Sequence, residues 1–134
     1  SGLFGSHVVK TDRAALETRL RGRIEALRVR FAMFQVLVDK ETWRGNPIDA
    51  LHFYQGLTLA PLVELLRIKH DPLRSTWGNR YLHRTLPTPE ADRLAKLMYV
   101  ATPDLVAPKR AEAETWFNAL ADELSARKQL APPS

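Results

Sequence analysis

LETRLRGRIEALRVRFAMFQVLV, residues 16–38, decides the fold. Its apolar side chains fall at Leu16, Leu20, Ile24, Leu27, Phe31, Phe34 and Val38, in steps of three and four throughout. That spacing matches one face of an α-helix and cannot alternate across a strand. The opposite face carries Arg19, Arg21, Arg23, Arg28 and Arg30, with Glu17–Arg21 and Glu25–Arg28 at helical pairing distance. The pattern predicts a long amphipathic helix from Thr11 to about Trp43, capped by Thr11 or Asp12, with its arginine face in solvent. Gly22 costs about 1 kcal/mol relative to alanine and does not end so regular a pattern.

Outward from this helix the same grammar repeats. Arg44-Gly45-Asn46-Pro47 reads as a stop and a restart: Gly45 suits a left-handed helix terminus, Asn46 a cap, and Pro47 a first helical position. The second helix runs toward His70 with Leu51, Tyr54, Leu57 or Thr58, Leu62, Leu65 and Leu66 inward. Pro61 lacks the N–H that would bond Leu57, so the helix is expected to kink or split there. Asp71-Pro72 ends it, because a residue before proline avoids the helical region.

Ser75 to Arg84 is short, aromatic and cationic, with Ser75 a candidate cap for a brief helix. Thr88-Pro89-Glu90 opens another helix with Leu94, Leu97, Met98 and Ala101 as its stripe, closed by Thr102-Pro103-Asp104. A last helix begins near Pro108, packs Trp116, Phe117, Leu120 and Leu124, and frays before Pro132. No segment alternates and none repeats. The expectation is therefore an all-α antiparallel helical bundle of four to five helices with a kinked second helix. The bundle should span residues 11–130, with 1–10 a disordered or cloning-derived leader and 131–134 a frayed end.

Composition narrows the function. The chain has 134 residues, no cysteine and a formal net charge of +5. Thiolate metal sites and disulfides are excluded, and a reducing, cytoplasmic setting is expected. Leu57 to Leu66 is the most apolar run and is far shorter than the roughly 20 residues that cross a bilayer, so no membrane partner is expected. His7, His52, His70 and His83 lie in separate segments without metal-ligand spacing, and the glycines form no phosphate-cradling loop. The chain alone carries no complete catalytic constellation and is expected to bind no metal or cofactor.

The richest polar cluster is Lys69, His70, Arg74, Trp77, Asn79, Arg80, Tyr81, His83 and Arg84. Guanidinium forks beside aromatic rings suit planar anions such as nucleotides. Polycationic ligands need convergent carboxylates, and Glu41, Asp49, Glu64 and Asp71 are scattered. The competing reading makes Trp77, Tyr81 and Leu82 anchors that lock a connector onto the bundle.

Tyr54 through Asp71-Pro72, then Trp77-Gly-Asn-Arg-Tyr-Leu-His-Arg-Thr-Leu-Pro87, resembles the C-terminal helical half of bacterial nucleotidyltransferases of the aminoglycoside adenylyltransferase type. Trp43-Arg44-Gly45-Asn46 and Glu112-Ala-Glu-Thr-Trp-Phe117 fit the same half, so the likeness covers about residues 12–125. The resemblance implies an accessory, substrate-binding helical domain, with Tyr54, Arg67, His70, Arg74, Arg80 and Tyr81 as cleft contacts. It implies magnesium and a nucleoside triphosphate only with a catalytic half supplied elsewhere. Expected partners are then a small-molecule acceptor or nucleotide and a catalytic domain. The alternative is a helical interaction or dimerisation module without enzymatic activity, pairing as a homodimer along the first helix. Nucleic acid is the less favoured polyanion.

Overall fold

A computed structural model describes the backbone of residues 2–133 and the side chains of 12–133. Six α-helices follow in order: α1 (Gly2–Trp43), α2 (Pro47–Phe53), α3 (Ala60–His70), α4 (Leu82–Thr85), α5 (Thr88–Met98) and α6 (Val106–Ala126). Among the described residues there is no strand. The all-α bundle is as expected. Single 3₁₀ turns at Pro72–Arg74 and Pro103–Leu105 tighten two of the connections.

The periodic stripe of α1 packs as the sequence requires, with Leu20, Ile24, Leu27, Phe31 and Val38 buried. The helix starts nine residues earlier than its expected cap, because Gly2–Lys10 continue the same backbone; the leader expected to lie outside the fold is helical. Gly45, at φ +75°, ends α1 in the left-handed region as anticipated. Asn46 does not cap α2 through its side chain, whose Nδ2 instead donates to Glu41 Oε2 at 2.8 Å. α6 likewise begins at Val106, two residues before Pro108.

The second helix is interrupted in a specific way. Between α2 and α3, Tyr54–Leu59 forms a π-helical turn, in which the Ala60 N–H reaches five residues back to the Gln55 carbonyl. Pro61 leaves the Leu57 carbonyl without its usual partner, and Gln35 on α1 supplies one: its Nε2 donates to that oxygen at 2.9 Å. The Thr58 hydroxyl in turn donates to Gln35 Oε1 at 2.7 Å. Gln35 therefore takes the buried step expected of Phe34, which is left half-buried.

α3 occupies the centre. Leu62, Val63, Leu65, Leu66, Arg67 and Ile68 are all buried, far more than the single stripe expected, and a helix apolar around most of its circumference must be enclosed. α1 and α6 flank it, with Phe31 and Phe117 stacked at 3.8 Å between centroids.

The arginine face of α1 divides: Arg19 and Arg30 are exposed as expected, while Arg21, Arg23 and Arg28 brace the bundle. Arg23 grips Glu64 of α3 with two bonds of 2.5 and 2.9 Å, and Arg28 Nη1 reaches Asp122 of α6 at 2.9 Å. Glu17 accepts the backbone N–H groups of Leu130 (2.8 Å) and Ala131 (2.7 Å), while Arg21 donates to the Arg127 carbonyl at 2.5 Å. Leu130 and Ala131 are buried, so the tail is tied down where fraying was expected.

Candidate functional site

The segment between α3 and α4 is shaped from within. Arg67 is fully buried, yet its guanidinium is not orphaned. Its Nε donates to the Gly78 carbonyl at 2.6 Å, its Nη2 donates to the Arg80 carbonyl, and Asp71 lies 4.0 Å from Nη1. These bonds fix a loop, Ser75 to Tyr81, that turns through positive φ at Gly78 (+62°) and Tyr81 (+57°). Ser75 is buried and ends the 3₁₀ turn at Pro72–Arg74 instead of opening a helix, so the expected brief helix shrinks to the four residues of α4.

The outer face of this loop carries a ladder of cations and rings. Arg74 lies 5.3 Å from the centroid of the Trp77 ring, and Arg80 lies 5.9 Å from Trp77 and 5.3 Å from Tyr81. Arg84, one helical turn on, lies 5.6 Å from Tyr81. The rings are half exposed, at 46% for Trp77 and 49% for Tyr81. Arg74 is balanced by Asp71 at 3.1 Å, whereas Arg80 and Arg84 have no carboxylate partner among the described residues. Arg74, Trp77, Tyr81 and Arg84, with Arg67 and Thr85, border a hollow of about 380 Å³. Rings that hold guanidinium groups over their faces keep cations ordered without neutralising them.

The six residues expected at a cleft divide into three groups. Arg74, Arg80 and Tyr81 meet in the ladder. His70 faces away, its Nε2 2.7 Å from Glu90 Oε2 on α5, where Lys69 also sits at 3.1 Å. Burial would raise the Glu90 carboxyl, but the hydrogen bonds from His70 and Lys69 outweigh it and hold its pKa below the usual value. Arg67 is an internal strut, fully buried beneath the loop, and borders the ladder's hollow from below. Tyr54 is corrected: it is fully buried, and its hydroxyl donates to the Leu97 carbonyl near the end of α5 at 2.5 Å. Burial, with the nearby Glu112 charge, pushes that phenol well above its ordinary range.

The sequence cluster had already contained Trp77 and Arg84; their alternation with Arg74, Arg80 and Tyr81 was not visible, because it depends on the left-handed turn at Tyr81. A smaller groove of about 140 Å³ lies between α1 and the π turn, where Arg23 pairs with Glu64 and Arg30 lies 6.0 Å from the centroid of the Phe34 ring. Among the described residues no group of three His, Asp or Glu side chains is placed to hold a metal ion. No described helix is long and apolar enough to cross a membrane. Comparison with family models, with curated proteins and with solved structures finds no match to this chain.

Proposed function

We propose that this chain is a ligand-binding helical module that holds a planar anion, a nucleotide in the first instance, on the ladder of Arg74, Trp77, Arg80, Tyr81 and Arg84. In this reading it serves as the accessory or substrate-binding half of a cytoplasmic nucleotidyltransferase-like assembly whose magnesium- and triphosphate-binding half is supplied elsewhere. The single observation that carries it is the ladder itself: guanidinium groups ordered against half-exposed rings, two of them without a carboxylate. Arginine presents a planar fork matched to phosphate oxygens, and an exposed ring edge or face accepts a base.

Titration with ATP, adenosine and inorganic triphosphate, followed by amide and indole NMR shifts, tests it. Saturable shifts confined to residues 74–85 are expected for ATP, weaker ones for adenosine, and none for a polycation such as kanamycin. Arg80→Ala with Arg84→Ala should weaken ATP binding at least about tenfold, the loss of two charge-assisted contacts. Scattered or non-saturating shifts, or an affinity indifferent to both substitutions, would refute the reading.

A second reading, a dimerisation module, is favoured by a specific surface. Val29, Met33 and Val36 project from one side of α1 with more than half of their surface exposed, and Trp43 is 88% exposed at its end. An uncovered apolar stripe is a candidate interface between copies. A strictly monomeric sedimentation profile at high concentration would exclude it.

A further inference from the structure

The loop that carries the ladder also closes a second concavity on its other side. Trp77 and Tyr81 border the ladder's hollow, while Gly78 and Asn79 between them wall a hollow of about 380 Å³ against the π turn and α3. A further hollow of about 210 Å³ continues between α4 and α5, and Asn79 and Met98 border both. Small-molecule sites typically occupy about 300–1,000 Å³, mostly apolar with a few polar groups that orient the ligand.

The floor fits that description. Leu59, Val63 and Leu94 are buried core residues whose remaining surface faces the hollows, and Met98 is 37% exposed at their junction. Around them stand Gln55, Asn79 and His83, and none of the three side chains has a hydrogen-bond or ionic partner among the described residues. Apart from His83, no bordering side chain is ionisable, in a chain of which 26% is Asp, Glu, Lys or Arg. An ion entering here would lose water and meet no countercharge, whereas an uncharged amide or heterocycle would pair with the free amides and cover apolar wall.

We infer that this double hollow binds a small, uncharged, planar and largely apolar molecule with one or two hydrogen-bonding groups, held edgewise by Gln55 and Asn79. The site is separate from the ladder and stands whether or not the ladder takes a nucleotide.

The probe is acetanilide, with benzoate and benzylammonium as charged counterparts of similar size, titrated into methyl-labelled protein. Saturable shifts at the Leu59, Val63, Leu94 and Met98 methyls are expected for acetanilide, with at least about fivefold weaker binding of either ion. Ala60→Leu and Ala95→Leu fill the hollows from exposed positions that tolerate a larger side chain, and each should weaken acetanilide several-fold. Asn79→Ala should weaken acetanilide while leaving toluene unchanged. Arg80→Ala with Arg84→Ala should leave acetanilide affinity unchanged, so failure at the ladder and failure here are read separately. Absence of saturation, equal or tighter binding of either ion, or shifts that survive both filling substitutions would overturn the inference.

Discussion

Gln35→Leu tests the account of the interrupted helix most directly. Leucine nearly matches glutamine in volume, so the substitution removes two hydrogen bonds without opening a cavity. It strands the Leu57 carbonyl, which Pro61 cannot serve, and leaves the Thr58 hydroxyl to find a carbonyl of its own helix. A buried carbonyl without a donor costs about 1–3 kcal/mol. With a smaller loss at Thr58, the total comes to about 3 kcal/mol. At a urea m-value of about 2 kcal/mol/M, the unfolding midpoint should fall by about 1.5 M. Pro61→Ala returns an N–H one turn after Leu57, so in the Gln35→Leu background it should recover about 1 kcal/mol, the worth of one hydrogen bond. The same change in the wild-type chain, where the carbonyl is already served, should recover none of it. Urea denaturation followed by circular dichroism measures all four proteins. A midpoint shift of Gln35→Leu below about 0.3 M, or an equal effect of Pro61→Ala in both backgrounds, would refute the reasoning.

Four further outcomes are expected. Arg67→Met should destabilise by about 3 kcal/mol, since the Gly78 and Arg80 carbonyls lose their donor, and amide exchange should rise across residues 75–81. Tyr81→Gly should relieve the left-handed strain of about 1 kcal/mol and leave the thermal midpoint unchanged or higher, while weakening ATP; a large loss of stability would make the ring structural rather than functional. Glu17 titrates below its ordinary value: burial opposes this, but the Ala131 and Leu130 amides and Arg21 prevail. Its contribution is therefore present above the unfolded value of about 4.3 and lost as pH falls through the lower folded one. Glu17→Gln should flatten acid stability over that window and unprotect the amides of residues 130 and 131. Tyr54 has the opposite sign, a raised phenol, so its stabilisation is complete below about pH 10 and lost above it. Absorbance at 295 nm should show one of the three tyrosines ionising only as the fold opens, and Tyr54→Phe should remove that late step.

What the sequence could and could not disclose divides along chemical lines. Spacing of apolar side chains gave α1, the body of α5 with Leu94 and Leu97 buried, and the aromatic anchors of α6, because burying those side chains is what the pattern is for; α5 stops at Met98, short of the expected Ala101. Gly45 and Pro61 marked a stop and a break through local backbone sterics alone. Polar side chains were the blind spot. Gln35, Tyr54 and Arg67 each turn inward to a carbonyl that lacks a helical partner, and the positions of those carbonyls exist only once the helices have docked. Phe34 lost its core position to Gln35 for that reason. Periodicity equally could not distinguish a wet arginine from a brace such as Arg23, since both sit off the apolar stripe. At the site, composition shows the residues of the ladder, but not that Arg67 aims them from beneath.

The internal placement of Arg67 separates frame from face. The segment above it is held by bonds to main-chain oxygens, which every amino acid possesses, and the rungs of the ladder take no part in those bonds. Exchanging the side chains at 77, 80 and 84 leaves those two bonds in place. Such a surface is a ready template for grafting new recognition chemistry, provided the cation beneath it is left untouched.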